Sequence, residues 1–258
     1  MINVLADQYL YNIQSYLPEN INLMLFDPAH GFPSEINSAH ALLIRTVIPV
    51  DEQTLPDIPK NLQFVGTASA GTDHVDIKYL RENGITFADA AGCNARSVAE
   101  YVATAMLIWA EKRDQNLTTL TAGIIGAGNA GSRVIELLRK LEISTVAYDP
   151  PKEERDSNFK SASLNEVLEC DILSFHTPLT TTGDYPTYHW LNGQKLSAFN
   201  FQLVINASRG GVIDEQALLN AFEKGMINDF ILDVWENEPN FNQKSAEQAF
   251  IKTPHIAG

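Results

Sequence analysis

Arg209, Glu238 and His255 are the residues of this 258-residue chain best suited to chemistry. An apolar run at Leu203–Asn206 leads into Ala207-Ser208-Arg209-Gly210-Gly211. Another, Phe230–Val234, contains Asp233 and leads into Trp235-Glu236-Asn237-Glu238-Pro239. The last residues are Thr253-Pro254-His255-Ile256-Ala257-Gly258. An imidazole titrates near neutrality, so His255 can take the proton of a hydroxyl group. A carboxylate such as Glu238 fixes the tautomer of a histidine partner and favours its charged form. The planar guanidinium of Arg209 can bind a carboxylate and stabilise charge on a forming carbonyl oxygen. The trio suits oxidation of an alcohol beside a carboxylate, which also requires a hydride acceptor.

The stretch Thr121–Asp149 provides for that acceptor. Ala122–Ile125 is a short apolar run, followed by Gly126, Gly128 and Gly131 as G-x-G-x-x-G. Ala130, Val134, Leu137, Leu138 and Leu141 then recur at helical spacing. A β-rich run at Thr145–Tyr148 ends at Asp149, 18 residues after the third glycine. This order of strand, glycine turn, helix, strand and acid is that of a dinucleotide site. Gly126 allows the tight turn, Gly128 admits the pyrophosphate, and Gly131 lets the helix pack on the strand. The helix opening at Asn129 and Ala130 presents free N–H groups to the phosphates. Asp149 can accept from both ribose hydroxyls and repels a 2′-phosphate, so NAD is expected over NADP.

Strands are expected at Ile2–Ala6, Asn22–Phe26, Ala41–Ile44, Gln63–Thr67, Thr86–Ala88 and Ile172–His176. Helices are expected at Tyr9–Leu17, Ile77–Asn83 and Glu215–Lys224. Ser163-Leu164-Asn165-Glu166 reads as a capping box. Alternating strands and helices imply α/β architecture with parallel sheets. Residues 1–94 form one expected doubly wound domain and residues 95–258 a second. A helix over about Ser97–Lys112 is apolar on most faces and is expected to be buried between them.

The formal net charge of −14 argues against nucleic acid or an anionic membrane as partner. Cys93 and Cys170 show no metal spacing and fit a reducing cytoplasm. Cys93 reads as a small buried residue with no activating base. Met1–Ala6 reads as a strand and lacks the basic region of a signal peptide, and no apolar run is long enough to span a membrane. His74 and His176 read as hydrogen-bonding histidines. His30, His40 and His189 lie in no recognisable pattern.

The segments GxGxxG with Asp149, NASRGGVID, LDVWENEP and TPHIAG resemble the D-2-hydroxyacid dehydrogenase family. RTVIPVDEQTL, GTASAGTDHVD, GCNARSVAEYV and FHTPLTTTGDYPTYH are similar to its branch acting on 4-phosphoerythronate. The resemblance covers essentially the whole chain. It implies a Rossmann NAD-binding domain and a flavodoxin-like substrate domain, with Arg209, Glu238 and His255 catalytic. It implies NAD contacts at Asp149, Thr177, Ala207, Ser208, Arg209, Asp233 and Gly258. Thr46 and Thr67 would bind a small phosphorylated 2-hydroxy acid, with Arg45 and Arg96 candidates for its phosphate. Arg96 stands where a small or apolar residue is expected. The family continues beyond Gly258 with a substrate-contacting tyrosine, a returning helix and a dimerisation segment. A longer, homodimeric native protein is therefore expected. A sibling activity on lactate, glycerate or phosphoglycerate, and a non-catalytic NAD-binding regulator, are the alternatives.

Overall fold

The computed structural model describes residues 1–258 and divides into two compact units, Met1–Cys93 and Asn94–Gly258. The break falls one residue before the expected boundary. In the first unit, strands β1 (Ile2–Asp7), β2 (Ile21–Phe26), β3 (Ala41–Ile44), β4 (Phe64–Thr67) and β5 (Thr86–Ala88) form one parallel sheet. Its order is β2-β1-β3-β4-β5, the flavodoxin-like arrangement. Residues of the short apolar strands, including Leu5, Leu42, Ile44 and Val65, are withdrawn from water into its core. Two helices belong to this unit, α1 (Ile13–Tyr16) and α2 (Ile77–Glu82). The helix expected over Tyr9–Leu17 is only the single turn α1. None of its residues is buried, so no packing offsets the cost of nucleating a longer helix.

The second unit opens with α3 (Ala95–Arg113). Strands β6 (Thr121–Ile125), β7 (Ser144–Tyr148), β8 (Ile172–Phe175), β9 (Phe201–Asn206), β10 (Ile227–Leu232) and β11 (Ile251–Lys252) form its parallel sheet. Helices α4 (Asn129–Lys140), α5 (Pro150–Arg155), α6 (Leu164–Leu168), α7 (Gly193–Ala198), α8 (Glu215–Glu223) and α9 (Gln243–Gln248) connect them. The order β7-β6-β8-β9-β10-β11 reverses direction at β6 and β8, which creates the switch-point crevice where such sheets bind ligands. The capping box forms: Ser163 Oγ accepts from Glu166 N–H and Glu166 Oε2 accepts from Ser163 N–H.

Three expectations change here. α3 packs against α4 and contributes Val102, Met106 and Trp109 to the second unit's core, but Leu107 and Ile108 are exposed. Its apolar surface is therefore wider than the face it buries. The strand expected at Phe230–Val234 starts earlier and ends at Leu232, so Asp233 follows the strand instead of lying in it. Cys93 is exposed, not buried. No helix is long and apolar enough to cross a membrane.

Candidate active site

The glycine turn follows β6, and each glycine has a separate steric reason. Gly126 has φ +88°, and a Cβ there would lie 2.6 Å from the His176 carbonyl oxygen. A Cβ on Gly131 would lie 1.9 Å from the Gly126 carbonyl oxygen. Gly128 faces open space, with nothing within 4 Å of its Cβ position. Gly128 caps α4 without a side-chain hydrogen bond, and Gly128 and Asn129 are exposed while Ala130 is half-buried. The first N–H groups of α4 thus meet the open side of the turn, where a helix start attracts phosphate.

Asp149, directly after β7, braces this turn. Its Oδ2 accepts from Ala127 N–H at 2.8 Å and its Oδ1 from Lys152 N–H at 3.0 Å. The Lys152 ammonium donates to Ala127 O from behind. A cleft of about 500 Å³ is lined by Gly126, Gly128, Asp149 and, after β8, Thr177. Thr177 Oγ1 is buried and unpartnered, a polar atom of the kind that a bound ligand satisfies. Open space at Gly128, an orphaned hydroxyl and a carboxylate beside the turn fit a dinucleotide. We expect Asp149→Asn, which keeps an acceptor for Ala127, to bind NAD about 10-fold more weakly. It should also narrow the preference over NADP. Fluorescence titration of both cofactors checks this, and an unchanged ratio removes Asp149 from the ribose site.

His176 packs under the same turn. Ser174 Oγ lies 2.9 Å from its Nε2, and burial pushes its pKa down to about 4. An unfolded imidazole gains its proton near pH 6.5, so the folded state loses relative stability as pH falls from there towards 4. Between pH 7 and pH 5 this costs about 2 kcal/mol. Urea unfolding at the two pH values should show that loss in the wild type and not in His176→Gln.

At the end of β9, Asn206 shapes the turn that carries Arg209. Its Oδ1 accepts from Ser208 N–H and Oγ, and its Nδ2 donates to Arg209 O. Ala207 is half-buried and Ser208 buried, while Arg209 Nη1 donates to Ser208 O at 2.8 Å. Gly210 abuts the next turn so closely that a Cβ would lie 1.9 Å from Trp235 O. The turns carrying Arg209 and Glu238 therefore touch backbone to backbone.

Glu238 Oε1 accepts from Trp235 N–H at 2.7 Å, and its Oε2 lies 3.1 Å from His255 Nδ1. The carboxylate accepts, so Nδ1 carries the proton and Nε2 is left for another partner. His255 has φ +57°, a left-handed conformation that only dense local bonding sustains. Asp233 supplies that bonding. His255 N–H donates to its carbonyl, and the carboxylate accepts from Thr253 Oγ1 and from the N–H groups of Ile256 and Ala257. Asp233 thus holds the loop of His255 from below. Gly258 sits against Asn94, where a Cβ would lie 2.5 Å from Nδ2.

In the first unit, Thr46 follows β3 exposed, and Thr67 ends β4 buried. Because Ile44 pairs with Thr67, both lie at the same end of that sheet. Thr67 Oγ1 contacts Ser69 Oγ at 2.7 Å and His74 Nε2 at 3.0 Å. Arg45 makes a bond to the fully buried Asp7 carboxylate, at 2.9 Å. Arg96 lies on the exposed side of α3 and pairs with Glu100. Asn206 and the partnership of His189 with Glu236 (2.7 Å) were outside the expected site. The asparagine at a strand end before Ala-Ser-Arg was a readable signal for the first; 47 residues of separation hid the second.

A doubly wound dinucleotide domain with Arg, Glu and His on adjoining loops is the architecture of a nicotinamide-dependent hydroxy-acid dehydrogenase. Residues 94–257 match the model of the D-isomer specific 2-hydroxyacid dehydrogenase, NAD binding domain. The chain belongs to the D-isomer-specific 2-hydroxyacid dehydrogenase family, and it is an NAD-dependent dehydrogenase. It is 45% identical to the erythronate-4-phosphate dehydrogenase of Marinobacter nauticus, over 99% of this chain and 67% of that protein. It is 39% identical to the same enzyme of Bacteroides fragilis, over 100% of this chain and 74% of that one. This chain thus spans roughly two thirds to three quarters of those relatives' length. Among solved structures, D-lactate dehydrogenase of Aquifex aeolicus, complexed with NAD and lactic acid, shares the fold. Its TM-score is 0.76 at 24% identity, covering 99% of this chain and 88% of that one. The NADPH-dependent glyoxylate/hydroxypyruvate reductase of Sinorhizobium meliloti, in complex with NADP and malonate, gives 0.79 at 22% identity, covering 99% and 86%.

Proposed function

We propose that this chain oxidises 4-phospho-D-erythronate to (R)-3-hydroxy-2-oxo-4-phosphooxybutanoate with NAD, as a step of vitamin B6 synthesis. The observation that carries the reading is the Glu238–His255 pair, held in a bonded loop next to the Arg209 turn. His255 Nε2 takes the proton of the 2-hydroxyl as Nδ1–H leans on Glu238 Oε2. Arg209 pairs with the substrate carboxylate and offsets charge on the carbonyl oxygen as it forms. NAD, when bound, supplies the acceptor for the hydride that leaves C2. Its holders are the turn at Gly126, Gly128, Asn129, Ala130 and Gly131, together with Asp149, Thr177, Ala207, Ser208, Arg209, Asp233 and Gly258. Thr46 and Thr67 supply hydroxyl contacts to the substrate. The phosphorylated substrate is favoured over lactate or glycerate by the likeness to the erythronate-4-phosphate dehydrogenases, which runs through both units. The working form is a cytoplasmic homodimer in this reading.

The test is a spectrophotometric NADH assay over 4-phosphoerythronate, 3-phosphoglycerate, glycerate and D-lactate. The highest kcat/KM is expected for 4-phosphoerythronate. A higher value for another acid moves the chain to a sibling activity, and NAD binding without turnover of any acid removes the catalytic reading.

A further inference from the structure

Three loops leave the C-terminal ends of β8, β9 and β10, and one histidine touches all three. His189 is in the first loop, with its ring stacked on Tyr188 at 4.0 Å. Its backbone N–H donates to Gly211 O in the loop of Arg209, at 2.8 Å. Its Nε2 donates to Glu236 Oε1, two residues before Glu238, at 2.7 Å. Glu236 is anchored in turn to the start of α8. Its N–H donates to Glu215 Oε2 at 3.0 Å, and its Oε2 accepts from Glu215 N–H. His189 has φ +48°, a conformation that a side-chain-bearing residue keeps only when its surroundings impose it.

We propose that His189 is a positioning residue for the dehydrogenase reaction, clamping the Arg209 turn to the Glu238 turn through Gly211 and Glu236. The two turns have no slack at Gly210, where backbone meets backbone. From the other side, His189 bonds the loop of Arg209 through its backbone N–H and the loop of Glu238 through its ring. Releasing Glu236 lets the Glu238 turn, and His255 with it, shift relative to Arg209. A displacement of about 1 Å at a reacting centre lowers turnover on the order of 100-fold. NAD affinity falls less than turnover, because the glycine turn and Asp149, which belong to β6 and β7, lie away from the clamp. The ionisable groups around the ring are Glu236, Asp214 with Oδ2 at 3.9 Å from Nδ1, and Glu215 behind Glu236. Burial raises the pKa of Glu215.

This inference rests on the dehydrogenase reading, so all rates are ratios to the wild type with whichever 2-hydroxy acid it oxidises best. An inactive wild type overturns that reading, whereas an active wild type matched in kcat by His189→Leu overturns the clamp alone. His189→Leu should lower kcat at least ~10-fold while the NAD dissociation constant changes by a smaller factor. His189→Gln, whose amide can donate to Glu236, should recover most of the loss. Glu236→Leu reads the same contact from the other side should His189→Leu fail to fold. The double variant His189→Leu/Glu236→Leu should be no slower than the worse single one, as expected for two halves of one contact. The clamp is overturned if His189→Leu keeps wild-type kcat. It is equally overturned if Gln gives no recovery, if the two single losses multiply in the double variant, or if the loss falls on NAD affinity instead.

Discussion

His255→Ala is expected to lower kcat by about 10²–10⁴-fold, the usual contribution of a positioned general base, with NAD affinity nearly intact. The imidazole is 46% exposed and meets the protein through Glu238, so its removal leaves no buried cavity. Its loop is held by backbone bonds to Asp233 that alanine keeps. The left-handed φ of +57° is less comfortable for alanine than for histidine, which costs some loop order. His255→Asn, which tolerates that conformation, therefore serves as the companion variant. Steady-state kinetics of both, with NAD titrated by fluorescence quenching, separates the effects. Wild-type turnover at pH 7 in both variants would mean that another group takes the proton.

The second large effect is expected at the glycine turn, where two substitutions should part company. Gly131→Ala drives a Cβ to 1.9 Å from the Gly126 carbonyl oxygen. Backbone must move, so both thermal stability and NAD binding should collapse. Gly128→Ala meets nothing within 4 Å, so the melting temperature should stay close to wild type. A methyl group there occupies the approach of the pyrophosphate, and NAD affinity should fall on the order of 100-fold, about 3 kcal/mol. Calorimetry and NAD titration on the two variants test this directly. Unimpaired NAD binding by Gly128→Ala would place the phosphates elsewhere.

These contrasts show what the sequence makes legible and what it hides. Gly126, Gly128 and Gly131 carry a geometry that few other residues permit, so their spacing alone announces the turn. The short apolar runs at Ala41–Ile44 and Ile172–Phe175 likewise have one stable use, as buried parallel strands. Ser163 and Glu166 are a local pair, and their bonds form as the spacing implies. The helix over Tyr9–Leu17 shrank to Ile13–Tyr16 because its apolar residues have no core to join. Asp233 looked like a strand residue because the apolar run continues through Val234, yet its carboxylate is taken up by the loop of His255. The His189–Glu236 bond joins residues 47 apart in the chain. Periodicity and motif spacing report local order and say nothing of such pairs.

The central claim is that a hydride leaves C2 of a phosphorylated 2-hydroxy acid for NAD while His255 takes the hydroxyl proton. Oxidation of 4-phospho-D-erythronate carrying deuterium at C2, followed by mass spectrometry of the nicotinamide product, tests it in one measurement. The account predicts one deuterium in each NADH formed, and loss of that signal in His255→Ala on the same timescale. Deuterium released to water, or NAD left unreduced by this substrate, would contradict it.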